Sequence, residues 1–348
     1  MADFMNNRIA QLVRNNIRTL APYSTARDEF KGSLGVFLDA NESPYPNPFN
    51  RYPDPHQKIL KEKISALKGM PVEKIFLGNG SDEAIDLMYR IFCTPGKDNA
   101  IVIAPSYGMY SVCAEINDVE VRSVELNPDW SLPEEKLLEA ADDNSKLMFI
   151  CSPNNPTANA FPKEQILRIV QKFNGIVVVD EAYADFSTKG SLLPELASND
   201  NMVVLQTMSK ARGLAGLRLG MAFADSCIIR FMSMVQYPYN INQATINEAL
   251  KVLDKNIGDE ISEILSERER LSAELIKFKF IKEIFPSDAN CILIRTDDAN
   301  SLYDHLIKDG IIVRNRNSVK GCKGCLRITI GLTSENEKLL SSLKMYQI

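Results

Sequence analysis

The chain has 348 residues, enough for two domains at roughly 100–200 residues each, and its 45% hydrophobic and 24% charged content is that of an ordinary globular protein. A net charge of -5 excludes broad electrostatic attraction to nucleic acid or to an anionic membrane. Two histidines, His56 and His305, leave little for Ser–His–Asp hydrolysis, and the lone Cys322/Cys325 pair supplies half of a tetrahedral metal site, so no metal is expected.

Ile9, Leu12, Val13, Ile17 and Leu20 recur at helical spacing and mark one face of an amphipathic helix. No apolar signal core accompanies them, and no apolar run reaches the roughly 18 residues that a membrane helix needs, so the expected location is the cytoplasm. From about residue 74 short apolar runs alternate with helical patterns. Strands are expected at 74–77, 100–104, 146–151, 175–179 and 202–206, and helices at 81–92, 107–116 and 162–173. That alternation predicts a mostly parallel sheet covered by helices, with ligands beyond the carboxyl ends of its strands. After about residue 243 the texture changes to charged helices (243–253, 259–278) and strands near 291–295, 311–314 and 326–331, which predicts a smaller α+β unit. The first forty residues find no strand partner nearby in sequence and are expected to pack with it. The expected division is 41–244 for the large domain, with 1–40 and 245–348 forming the small domain and N-terminal segment.

The most informative stretch is Thr207-Met-Ser-Lys-Ala-Arg-Gly-Leu-Ala-Gly-Leu-Arg-Leu-Gly220. It follows an apolar strand and supplies two hydroxyls, a lysine, three glycines and an arginine eight positions after the lysine. A lysine amine withdrawn from water becomes a good Schiff-base nucleophile. Thr207, Ser209 and Arg218 can hold a phosphate dianion beside Lys210. Gly78-Asn-Gly80-Ser81-Asp82-Glu83 ends one strand and opens a helix, where backbone N–H groups bind phosphate, although Ser81 also suits a plain N-cap. Asp180 in Val177-Val-Val-Asp180-Glu-Ala-Tyr183 is a carboxylate at the end of a buried strand, a place that also suits a helix cap or an ion-pair partner.

The lysine segment resembles that of the fold-type I enzymes that use pyridoxal 5'-phosphate, in particular the aspartate aminotransferase superfamily. The resemblance covers nearly the whole chain and implies a large domain with a mostly parallel seven-stranded sheet plus a smaller α+β domain. It implies that Lys210 forms the Schiff base, that Asp180 partners the ring nitrogen, and that Tyr183 and Asn155 of Cys151-Ser-Pro-Asn-Asn155-Pro bond the phenolic oxygen. Tyr107 of Pro-Ser-Tyr-Gly-Met-Tyr takes the place of the stacking aromatic; Gly80, Ser81, Asp82, Thr207, Ser209 and Arg218 take those of the phosphate cradle. Ala158 stands where that family usually has glycine, which puts the local conformation of the Asn155 loop in doubt.

Three further segments resemble the histidinol-phosphate aminotransferase family: Leu20-Ala-Pro-Tyr23-Ser-Thr-Ala-Arg-Asp-Glu-Phe30, Leu38-Asp-Ala-Asn41-Glu-Ser-Pro, and Arg51-Tyr52-Pro-Asp-Pro55. In that family the tyrosine matching Tyr52 reaches the cofactor phosphate of the partner subunit, which implies a homodimer with shared sites. Tyr23, Asn41, Arg314 and Arg327 match substrate positions; Arg327 would take a carboxylate and Arg314 a phosphate, with Arg316 near enough to share that role. The implied reaction is a reversible ping-pong transfer through pyridoxamine phosphate, from glutamate to imidazole-acetol phosphate in histidine biosynthesis. A threonine-phosphate decarboxylase-like lyase and a broad aromatic aminotransferase share most of these features.

Overall fold

Strands built from Val, Ile, Leu and Phe and buried along their length need cover on both faces, and that requirement sets the architecture. A computed structural model of the protein describes residues 7–24 and 35–346. Seven strands form the main sheet: β1 (Ile75–Asn79), β2 (Asn99–Ala104), β3 (Glu120–Glu125), β4 (Ser145–Cys151), β5 (Ile176–Asp180), β6 (Met202–Thr207) and β7 (Leu219–Ala224). Their order is β1-β7-β6-β5-β4-β2-β3, and only β7 runs antiparallel to its neighbours. The expected mostly parallel sheet is present.

Period-two alternation divides the side chains of each central strand between two cores. In β5, Ile176 and Val178 enter the core beneath the helices Ser81–Phe92 and Ser226–Val235, whereas Val177 and Val179 enter the core beneath Lys58–Lys68 and Lys163–Lys172. β3 and β7 escape a reading of apolar runs for different reasons. β3 is an edge strand of sequence EVRSVE with mostly solvent-facing positions, and β7 is small-residue-rich (LGMAFA) although fully buried.

The second sheet is antiparallel, with β8 (Ile281–Ile284), β9 (Cys291–Thr296), β10 (Arg314–Asn315) and β11 (Cys325–Thr329) in the order β10-β11-β9-β8. The helices Gly258–Leu275, Ala299–Lys308 and Thr333–Met345 cover it through Leu271, Leu275, Leu302, Leu306 and Leu339.

Two placements differ from expectation. The N-terminal helix Arg8–Leu12 buries Ile9 and Ala10, and Val13 after it, in the large-sheet core rather than against the small unit. The helix Gln243–Leu253, read as part of the smaller unit, sends Ile246, Ala249 and Leu253 into the other large-sheet core. The first packs on the helix Ser226–Val235 and the second on Lys58–Lys68, so each extends a helical layer of the large sheet. The strand expected over 311–314 shortens to Arg314–Asn315, paired with Arg327 and Leu326. Ser81 is the first helical residue and Gly80 the N-cap, so the serine hydroxyl makes no capping bond.

Candidate active site

The parallel strands β2, β4, β5 and β6 end on one edge of the sheet, and the chain leaving them lines a cavity of about 640 Å³. Asp180 is the last residue of β5, Thr207 the last of β6, and Asn155 lies four residues beyond β4. From the small unit Arg314 of β10, Arg316 just after it and Arg327 of β11 close the cavity. The structure thus brings together Gly80, Ser81, Asp82, Tyr107, Asn155, Asp180, Tyr183, Thr207, Ser209, Lys210, Arg218, Arg314 and Arg327 of the residues read from the sequence.

Asp180 is 3% exposed. Its Oδ2 accepts a 2.7 Å hydrogen bond from the Tyr110 hydroxyl and its Oδ1 a 3.0 Å bond from the Ala182 N–H. Burial raises its pKa and these two donors pull it back. Lys210 opens to the cavity with Nζ 5.5 Å from the centre of the Tyr183 ring. Partial removal of water and repulsion from Arg327 lower its pKa from the ordinary lysine value. A lowered pKa leaves more of the amine neutral, the form that attacks carbonyls and accepts protons.

On the other side, a cradle forms where β7 meets the turn before the helix Ser81–Phe92. The Gly80 N–H donates to the Arg218 carbonyl at 2.6 Å. Gly80 has φ +73°, and a Cβ on Gly220 would lie 2.1 Å from the Ser81 nitrogen, so this backbone crossing admits no side chain at Gly220. The crossing sets Arg218 beside the helix start, where Nη2 lies 3.1 Å from Asp82 Oδ2. Tyr107 donates to Asp82 Oδ1 at 3.0 Å. The Asp82 carboxylate therefore ties down Arg218 and Tyr107; only its backbone N–H suits an anion. Ser209 Oγ is buried without a hydrogen-bond partner, although its N–H donates to Thr207 Oγ1 at 3.0 Å. A buried orphan hydroxyl beside an arginine and a helix N-terminus fits a phosphate.

Lys210, Asp180 and the phosphate cradle together match the three handles of pyridoxal phosphate: an aldehyde, a basic ring nitrogen and a phosphate arm. Tyr107 and Tyr183 line the same space with aromatic surface. The residues present fit that group.

The small-unit wall holds an excess of positive charge. Arg314 and Arg327 are directly paired across β10 and β11. Arg327 Nη1 donates to Asn155 Oδ1, and Arg316 Nη2 lies 3.5 Å from the same oxygen. The Nε atoms of Arg316 and Arg327 are buried without partners. Among the described residues none of these three arginines has a carboxylate within ion-pair range. Burial, Arg327 and Arg314 lower the pKa of Arg316. Asn155 spends its carbonyl oxygen on the arginines, and its Nδ2 remains a donor for the cavity.

Three expected site residues lie elsewhere in this chain. Tyr52 is half exposed and stacks on Tyr239 at 4.5 Å, and Asn41 lines the same surface hollow. Tyr23 is 75% exposed. The rest of its motif, residues 25–30, lies outside the described residues. Ala158 adopts φ +66° while fully buried, the left-handed conformation for which glycine is the usual choice. Cys322 and Cys325 are buried against Leu293 and, among the described residues, join no cluster of metal ligands.

The model of the family "Aminotransferase class I and II" matches residues 38–343. The chain belongs to that family. It is 51% identical over 338 residues to a histidinol-phosphate aminotransferase of Parabacteroides distasonis, covering 97% of this chain and 98% of the relative. A histidinol-phosphate aminotransferase from Clostridium acetobutylicum superimposes with a TM-score of 0.78 at 27% identity, over 85% of this chain and 90% of the other. One from Sinorhizobium meliloti, solved with pyridoxal-5'-phosphate, gives a TM-score of 0.79 at 21% identity, over 88% and 89%, which establishes the shared fold. As a class I and II aminotransferase the chain has the fold-type I architecture that its lysine segment led one to expect.

Sequence reading missed two residues of this site. Tyr110 follows Tyr107 by three positions, the spacing that shares a helix face, and that spacing was the available signal. Gly220 was one of the three glycines after Lys210, with nothing local to show what it approaches.

Proposed function

We propose that this aminotransferase transfers the amino group of glutamate to imidazole-acetol phosphate, reversibly and in two half-reactions, and so serves histidine biosynthesis. The carrying observation is the wall of three arginines, Arg314, Arg316 and Arg327, which has no carboxylate partner among the described residues. Buried guanidinium N–H groups without acceptors are costly, so the wall is suited to substrates that bring anions. Glutamate brings carboxylates and histidinol phosphate a phosphate. The near-full-length relatives named for that activity support the same reading.

Pyridoxal phosphate, when bound, supplies an electron sink that acidifies the Cα–H of an amine joined to it. Arg218, Ser209, Thr207 and the N–H groups at Ser81 would hold its phosphate, Tyr183 and Asn155 Nδ2 its phenolic oxygen, and Tyr107 would cover its ring. Asp180 would keep the ring nitrogen protonated through a buried negative charge. Lys210 would anchor the cofactor, and its amine, once free, would carry the proton to and from the substrate carbon. Arg327 would orient whichever anion is present, while Arg314 and Arg316 would engage phosphate. Tyr23, Asn41 and Tyr52 would act across a homodimer interface at the partner's cavity, where their exposure in a single chain would end. Among the described residues no helix is long and apolar enough to cross a membrane, and we place the enzyme in the cytoplasm.

The test is product analysis of the loaded enzyme. Glutamate and imidazole-acetol phosphate should give 2-oxoglutarate and histidinol phosphate, with phenylpyruvate a poorer acceptor. Carbon dioxide release from phosphothreonine, without amino transfer, would replace the reading with a decarboxylase; equal use of phenylpyruvate would replace it with an aromatic aminotransferase.

A further inference from the structure

Asp180 carries its functional charge in a place that opposes charge. It is nearly sealed from water, and among the described residues no lysine or arginine lies within ion-pair range of it. A buried carboxylate in that position neutralises unless hydrogen bonds hold its ionised form. Two neutral donors are available, the Ala182 N–H and the Tyr110 phenol. The first belongs to the backbone turn after β5. The second is a side chain brought from residues 70 positions earlier.

Tyr110 is built to hold that phenol still. It is fully buried, and its ring stacks on Phe149 at 4.9 Å with an interplanar angle of 20°. Tyr107 meets it edge-on at 5.6 Å, and the Tyr89 hydroxyl donates to its backbone carbonyl at 2.9 Å. The ring lies behind Asp180, outside the cavity lining, so it does not touch a ligand there.

We propose that Tyr110 is a positioning residue whose phenol keeps Asp180 ionised and fixes its carboxylate toward the cavity. Tyr107 and Tyr183 also face Asp180, but among the described residues Tyr110 is the one side chain that hydrogen-bonds its carboxylate. Lys210 favours its ionised form from across the cavity, Asp82 opposes it, and the neighbouring Cys151 thiol is itself held neutral by burial. Burial and the Asp180 charge drive the Tyr110 phenol well above its ordinary pKa, which favours its protonated, donating form. The meaning of the role rests on the proposal that Asp180 faces the cofactor's ring nitrogen, but the hydrogen bond is testable without cofactor.

The experiment is an infrared titration of the full-length protein freed of cofactor, with the Asp180 band identified by its loss in Asp180→Asn. In Tyr110→Phe the protonation midpoint of Asp180 should rise by about one to two pH units, the usual worth of a hydrogen bond to a charged group. Tyr110→His should recover part of the shift. Phe149→Leu, which loosens the stack but keeps the phenol, should lower thermal stability and leave the midpoint in place. A ring-fluorinated tyrosine at position 110, a stronger donor of nearly the same shape, should lower the midpoint and keeps the test open if Tyr110→Phe does not fold. An unmoved midpoint in folded Tyr110→Phe, or with fluorotyrosine where that variant does not fold, overturns the proposal. If the midpoint moves but the absorbance titration of the reloaded enzyme does not, the role of Tyr110 stands and the assignment of Asp180 to the ring nitrogen falls.

Discussion

On the large-sheet side of the cavity the acidic groups are matched within the protein. Asp180 is held by Tyr110 and Ala182, and Asp82 by Tyr107 and Arg218. On the small-unit side Arg316 and Arg327 converge on one amide oxygen, that of Asn155, and Arg314 stands across from Arg327, with no acid in ion-pair range of any of them among the described residues. A wall whose carboxylates are already fixed, with the Ser209 hydroxyl left free, suits a resident ligand that stays in one pose. A wall with unspent guanidinium donors suits ligands that come and go with their own negative charge. The two half-reactions of an aminotransferase need both kinds of surface.

Removing the group that serves both walls should have the largest effect. Lys210→Ala should retain noncovalent cofactor, because the cradle of Ser209, Arg218 and the Ser81 helix start is untouched, yet lose turnover by several orders of magnitude. Borohydride reduction followed by peptide mapping checks the assignment in the parent enzyme; an adduct on any other lysine ends it. Next in size is a recovery. Mixed dimers of Tyr52→Ala and Lys210→Ala chains should regain about half the parental rate, because one site in each then has both residues. Confirmed heterodimers that stay inactive would return Tyr52 to its own chain, where its observed partner is the ring of Tyr239.

The arginine wall divides into smaller effects. Arg327→Ala should impair both half-reactions by roughly ten- to a hundred-fold, the worth of a charge-assisted hydrogen bond. It should also move Lys210: the Arg327 charge helps lower that amine's pKa, so its removal lets the pKa rise and shifts the neutral amine to higher pH. The pH dependence of cofactor capture by the apoenzyme reads this, and an unshifted or downward profile contradicts the electrostatic link. Arg316→Ala and Arg314→Ala should slow chiefly the half-reaction with histidinol phosphate, Arg316 more, because it is half-buried and less screened than exposed Arg314. Single-turnover absorbance separates the halves; equal losses with glutamate would remove both from phosphate reading.

The same contrast explains what could be read in advance. Asp180 directly follows an apolar run and Thr207 follows one after Gln206, so both the parallel sheet and the edge holding the site were legible from local pattern. The lysine segment compresses Thr207, Ser209, Lys210 and Arg218 into one stretch. Tyr110 carries only its three-residue spacing from Tyr107 as a local signal; its partner is 70 positions away, and only the fold brings β5 to the helix Met109–Ile116. The packing of Ile9 and Ile246 was misread for a related reason: amphipathic periodicity shows that a helix has an apolar face and is silent on which core takes it. The placing of Arg314 on the cavity wall depends on β10, whose two residues are too few to carry a strand pattern.

The smallest effect should come from the seam between the walls, the loop from Asn154 to Ala160. Asn155 touches the arginines, the Ala158 carbonyl accepts from the Asp288 N–H at 2.7 Å, and the Ala160 N–H donates to Asp288 Oδ2 at 2.8 Å. Ala158 holds φ +66° with its methyl fully buried near Tyr183 and Phe186. Left-handed backbone costs a non-glycine residue about 1–2 kcal/mol, which Ala158→Gly would relieve. Against this stand about 0.8 kcal/mol for the lost buried methyl and roughly 0.5–1 kcal/mol for the added freedom of the unfolded chain. These terms nearly cancel, so the unfolding free energy of Ala158→Gly should stay within about 1 kcal/mol of the parent. Ala158→Val, which puts a branched side chain at a positive φ in a filled space, should lose more than about 2 kcal/mol. Denaturant titration of both variants checks the balance. A Val variant as stable as the parent would mean that the loop relaxes freely, and Asn155 could then not be held by this backbone against the arginine wall.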